Sequence, residues 1–74
     1  MFMAVLETRN FTFEGFGKSE NDAVKALSDA LDVHFAQYHN VNITEFLSAY
    51  PRNCWDIREI KIGAGYRDRE KITL

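Results

Sequence analysis

Seventy-four residues, 46% of them hydrophobic and 27% charged, suffice for one small domain with an ordinary globular core and leave no length for a second. A net charge of −2 argues against a strong nonspecific polyanion binder, and the composition is far from that of a disordered chain. The single cysteine, Cys54, excludes an internal disulfide, and beside two histidines it falls short of a structural zinc set.

The chain opens on Met1-Phe2-Met3-Ala4-Val5-Leu6, an apolar stretch that lacks a basic leader and ends at Glu7. Neither a signal peptide nor a membrane span is expected from it, and the predicted location is cytoplasmic. Residues 2–8 read as a strand, and Phe11-Thr12-Phe13-Glu14 alternates with the period of a half-buried strand. Arg9-Asn10 between them suits a tight turn, because Asn tolerates positive φ, so the chain is predicted to begin with a β-hairpin.

Gly15-Phe16-Gly17-Lys18-Ser19 then raises the question of a phosphate-binding loop. A P-loop needs G-x-x-x-x-G-K-[ST], whose long arc of backbone N–H groups wraps the phosphates, and the position five before Gly17 is Thr12. Glu20 and Asp22 also place two carboxylates in the first turn of the helix that follows, where an anion would be repelled. Ser19 reads instead as the cap of that helix, with Asp22 completing a capping box.

Ala23, Ala26, Leu27, Ala30, Leu31, His34, Phe35 and Tyr38 recur at spacings of three and four, drawing one apolar stripe down a helix from Ser19 to about Tyr38. After His39-Asn40, Asn42 caps a shorter helix with Glu45 in its first turn, Phe46, Leu47 and Tyr50 inward, and Pro51 as its stop. Residues 55–62 return to a strand pattern whose phase switches at Arg58-Glu59, which predicts a β-bulge. Gly63-Ala64-Gly65 reads as a hairpin loop, and Tyr66 to Leu74 as a fourth strand.

The predicted fold is therefore a single α+β domain over residues 1–74, in β-β-α-α-β-β order. Its four-stranded antiparallel sheet carries the long helix on one face, with Leu27, Leu31 and Phe35 meeting Phe13, Ile57 and Ile60 in the core. The run FTFEGFGKSENDAVKAL, Phe11 to Leu27, resembles locally the strand, polar turn and alanine-rich helix of HicB-type antitoxins and of other small α+β modules. That resemblance implies the order of elements over this run and brings no functional residue with it.

Chemistry is sparse in the sequence. His34 lies on the apolar stripe as a packed histidine, Cys54 beside Trp55 reads as a small buried hydrophobe in a strand, and Asp29 and Asp32 belong to an acidic helix face. No catalytic, metal or cofactor site is expected, and a non-enzymatic, regulatory or interaction role follows. Charge is uneven: residues 1–50 carry three basic and seven acidic side chains, residues 51–74 six basic and four acidic. Arg67, Arg69 and Lys71 alternate, so one straight strand would present them as a basic stripe, and Arg58 and Tyr66 join them as candidate binding residues. Such a stripe beside aromatic residues supports a nucleic-acid-binding alternative, whereas a charged edge strand that resists aggregation is the plainer account. A sheet covered on one face only leaves the other to solvent or to a protein partner, and a homodimer is the economical form of the second expectation.

Overall fold

The N-terminal apolar run becomes the centre of the molecule. In the computed structural model, which describes residues 1–38 and 42–73, strand β1 (Phe2–Glu7) lies between β2 (Thr12–Gly17) and β3 (Asp56–Glu59) in an antiparallel sheet of order β2-β1-β3. The first hairpin forms as predicted, with Glu7 opposite Thr12 and Phe2 opposite Gly17. Its connection differs in detail. Thr8 N–H donates to Phe11 O at 2.8 Å and Phe11 N–H to Thr8 Oγ1 at 3.1 Å, so a threonine side chain closes the loop. Neither Arg9 nor Asn10 takes a positive φ, and the left-handed tolerance of Asn is not used.

Helix α1 (Glu20–Gln37) follows the apolar stripe, with Ser19 Oγ accepting the Asp22 N–H at 3.1 Å. Its backbone rests directly on β2. A Cβ at Gly15 would stand 2.3 Å from Leu27 N and 2.6 Å from Ala23 O, and one at Gly17 would stand 2.5 Å from Ala23 N. The two glycines are thus places where strand and helix backbones meet without side chains between them. Ala4 and Leu6 of β1 join Ala23, Leu27 and Leu31 of α1 in the buried core, and Phe13, Phe35 and Ile57 pack around them.

The shorter helix α2 (Ile43–Ala49) is capped by Asn42, whose Oδ1 accepts from Thr44 N–H at 2.9 Å and Glu45 N–H at 3.2 Å. Phe46 sets its ring edge-on to Phe35 and Phe13, with centroids 4.8 and 6.5 Å away, and Tyr50 is half-buried beside it. Leu47, expected inside, is exposed. His34 packs between Phe11 and Phe13, each centroid 4.9 Å distant. Cys54 is neither in a strand nor buried; it ends a single 3-10 turn, Arg52–Cys54, and is exposed. The readings made on His39-Asn40 and on the end of the last strand at Leu74 lie outside the described residues.

The C-terminal part corrects the predicted four-stranded sheet. Residues 66–74 do not form one strand: β4 (Gly65–Arg67) and β5 (Glu70–Thr73) pair with each other as a separate two-stranded sheet. The chain reverses at Asp68 and Arg69, whose φ of 50° and 66° are both left-handed, as a two-residue hairpin turn requires. The expected bulge at Arg58-Glu59 is also absent. β3 pairs with β1 without interruption from Asp56 opposite Val5 to Glu59 opposite Phe2, and the bulge lies instead between Gly65 and Tyr66. The phase change marks the end of β3: Ile60 leaves the strand, its N–H still reaching Met1 O at 2.7 Å, and takes no part in the helix-side core. The architecture is α+β with sheets of three and two strands, and among the described residues no helix is long and apolar enough to cross a membrane.

Gly15→Ala is expected to destabilise the domain by about 2–3 kcal/mol, because the new methyl meets backbone rather than a side chain that can turn aside. Leu31→Ala, which empties part of the core, is expected to cost about 2–5 kcal/mol. Urea denaturation of both variants checks the packing, and a wild-type midpoint in either would contradict this seating of α1 on β2.

Candidate functional site

The face of β1 that turns away from α1 carries Met3 and Val5, by alternation with Ala4 and Leu6. These two are only 8% and 2% exposed. The residues around them include much of the molecule's paired charge. Arg58 on β3 donates from Nε to Asp56 Oδ2 at 2.8 Å and from Nη1 to Glu70 Oε1 at 2.8 Å and Arg69 O at 3.2 Å. Arg69 reaches back from the hairpin turn, Nη2 to Glu7 Oε1 at 3.2 Å and Nη1 to Asp56 Oδ2 at 3.4 Å. Glu70 and then Asp56, by hydrogen bonding, raise the Arg58 pKa above its ordinary value. A single exposed ion pair contributes little, but here two arginines share Asp56 and tie β1, β3 and the hairpin turn into one network.

The network pins the turn of the hairpin and leaves an opening beside it. A cleft of about 360 Å³ runs between Met3 and Phe16 of the sheet, Ile60 and Ile62 of the connecting segment, and Tyr66 of β4. It adjoins a wider trough of about 730 Å³ along Arg58, Lys61, Tyr66, Arg69 and Lys71, with Glu59 and Glu70 also on its wall. The apolar side is open to solvent: Ile62 is 83% exposed and Phe16 47%. Tyr66 Oη accepts the Lys61 N–H at 2.8 Å, so its own proton remains to be donated to a further acceptor.

Four of the five residues singled out in the sequence, Arg58, Tyr66, Arg69 and Lys71, therefore line one trough. Arg67 does not. The hairpin register sets Arg67 opposite Glu70 and Lys71 opposite Tyr66, which puts Arg67 and Lys71 on opposite faces of the ribbon and dissolves the stripe read along a straight strand. Arg58 and Arg69 are engaged by carboxylates, whereas among the described residues no carboxylate lies within ion-pair distance of Lys61 or Lys71. Sequence reasoning missed Lys61 and the apolar wall of Met3, Phe16 and Ile62. The unbroken apolar run of β1 was the available signal, since a strand buried on one face alternates and this one does not. Among the described residues no group of three His, Cys, Asp or Glu side chains is placed to hold a metal ion.

Arg58→Gln removes the charge that bridges Asp56 to Glu70. Amide hydrogen exchange is expected to quicken at Gly65 to Arg67 while the amides of α1 keep their protection, and raising salt is expected to move the wild type in the same direction. Equal protection in both proteins would show that the hairpin is held by something other than this network. No known protein family, curated protein or solved structure matches this chain, so the role of the cleft rests on its own chemistry.

Proposed function

We propose that this protein is a non-enzymatic interaction module that acts by binding a protein partner in the cleft between its three-stranded sheet and its C-terminal hairpin. The observation that carries this reading is the exposed apolar wall of Phe16 and Ile62 set against a polar, basic rim. An apolar surface bordered by polar groups is the usual anatomy of a docking site. A two-stranded hairpin is marginal by itself, and this one is tethered chiefly by charge, so a partner packing into the cleft would supply the apolar cover it lacks. The setting expected for such a module is the cytoplasm, where an exposed thiol such as Cys54 stays reduced.

Nucleic-acid binding is the weaker reading. Arg58 and Arg69 are neutralised by Glu7, Asp56 and Glu70, and the remaining cations of the hairpin, Arg67 and Lys71, face opposite ways. The homodimer expectation drew on an uncovered sheet face, and burial of Met3 and Val5 narrows that ground.

Immobilised wild-type protein and a Phe16→Asp/Ile62→Asp variant, matched by far-UV circular dichroism, test the reading by capture from a lysate. A protein held by the wild type and weakened roughly thirtyfold or more in the variant is the expected outcome, the loss typical of a central apolar anchor. Equal retention would move the interaction to another surface. Tight oligonucleotide binding at physiological salt, lost with Arg67→Gln/Lys71→Gln, would put nucleic acid first.

A further inference from the structure

Resting on that reading, we propose that the segment held in the cleft is acidic, a large apolar side chain flanked by Asp or Glu, and that it belongs to a different protein. Along the cleft and the adjoining trough, three side chains outside the ion-pair network carry donors. Lys61 and Lys71 lack an ion pair among the described residues, and the Tyr66 hydroxyl, already accepting from Lys61 N–H, has its proton free to donate. On the acidic side Glu70 is engaged by Arg58, which leaves Glu59 as the one carboxylate on the wall outside the network. A ligand that brings acceptors satisfies this rim; one that brings donors leaves it unmatched. Beside the donors, Phe16 and Ile62 require an apolar side chain in the same short stretch.

Charge and geometry disfavour a second copy as the occupant. Cleft against cleft would set Lys61 and Lys71 against their own counterparts. The acidic surface of α1, with Asp29, Asp32 and the exposed Val33, lies on the other side of the sheet from the cleft. Docking one copy's helix into another's cleft would be a head-to-tail contact, which builds rings or open chains instead of a two-fold dimer.

The test is a chemical-shift titration of the intact ¹⁵N-labelled protein with the blocked peptide acetyl-Gly-Ser-Asp-Phe-Glu-Ser-Gly-amide and its isostere in which Asn and Gln replace Asp and Glu. The acidic peptide is expected to move the resonances of residues 60–66 and Lys71, and the isostere to bind roughly ten- to a hundredfold more weakly, the range for losing charge-assisted hydrogen bonds. Lys61→Gln/Lys71→Gln, at exposed positions, is expected to erase the difference between the two peptides while the spectrum elsewhere stays unchanged. Equal binding of both peptides to the wild type would overturn the acidic specificity and leave the docking reading standing. Shifts confined to another surface, or none with either peptide at millimolar concentration, would overturn the proposal even if cleft-dependent capture from a lysate succeeds. Phenylacetate saturating the same resonances more tightly than the peptide would assign the site to small carboxylic acids and overturn it as well.

Discussion

Everything in this fold answers to the burial of β1 on both faces. Met3, Ala4, Val5 and Leu6 are consecutive, so alternation sends two of them to each side of the sheet, and all four are buried. A central strand of this kind has to be covered twice. One long helix serves one face, and on the other side the hairpin after β3 reaches the sheet through the ion pairs of Arg58 and Arg69.

The two covers work by different physics. On the helix side the contact is dry and close: Gly15 and Gly17 bring α1 onto β2 at backbone distance, and Ala4, Ala23, Leu27 and Leu31 fill the space. The same two glycines gave the sequence its likeness to a phosphate loop. Their backbones are spent against Ala23, Asp22 and Leu27, and the helix terminus next to them already holds the carboxylates of Glu20 and Asp22. Small side chains at the entrance to a helix are thus explained by packing, with no ligand required.

On the opposite side the cover is held by charge. Arg58 and Arg69 link Glu7, Asp56 and Glu70 across three strands and the hairpin turn, which fixes that turn over the sheet while Ile62 and Phe16 stay in solvent. Guanidinium groups suit this work because a planar fork can serve two carboxylates and a carbonyl at once. Their use here also changes what the basic C-terminal region can do: two of its cations are structural, and among those outside the network Lys61 borders the apolar cleft and Lys71 the adjoining trough. An extended molecule of 42 × 22 × 22 Å, with its hairpin fastened at one end, is the geometric result.

Elements whose signals are local can be read directly from the order of residues. Ser19 and Asn42 cap the two helices where their side chains can reach the first free N–H groups, the spacing of Ala23, Leu27 and Leu31 draws the buried stripe, and alternation in Phe11 to Glu14 marks β2. Four members of the trough were also legible as basic or aromatic residues, though not their division into structural and free. The turn at Asp68-Arg69 depends instead on contacts between distant parts of the fold. Asp68 tolerates the left-handed region, but Arg69 does not favour it, at a cost of about 1–2 kcal/mol, and Asp-Arg does not announce such a turn as Asp-Gly would. The compensation comes from Arg58, which binds the Arg69 carbonyl, and from Glu7 and Asp56, which receive its guanidinium. Those partners lie 11 or more residues away along the chain, beyond any local pattern. That reversal splits the expected fourth strand, sends Arg67 and Lys71 to opposite faces, and opens the cleft, because contacts between distant charges outweighed the extended preference of the residues themselves.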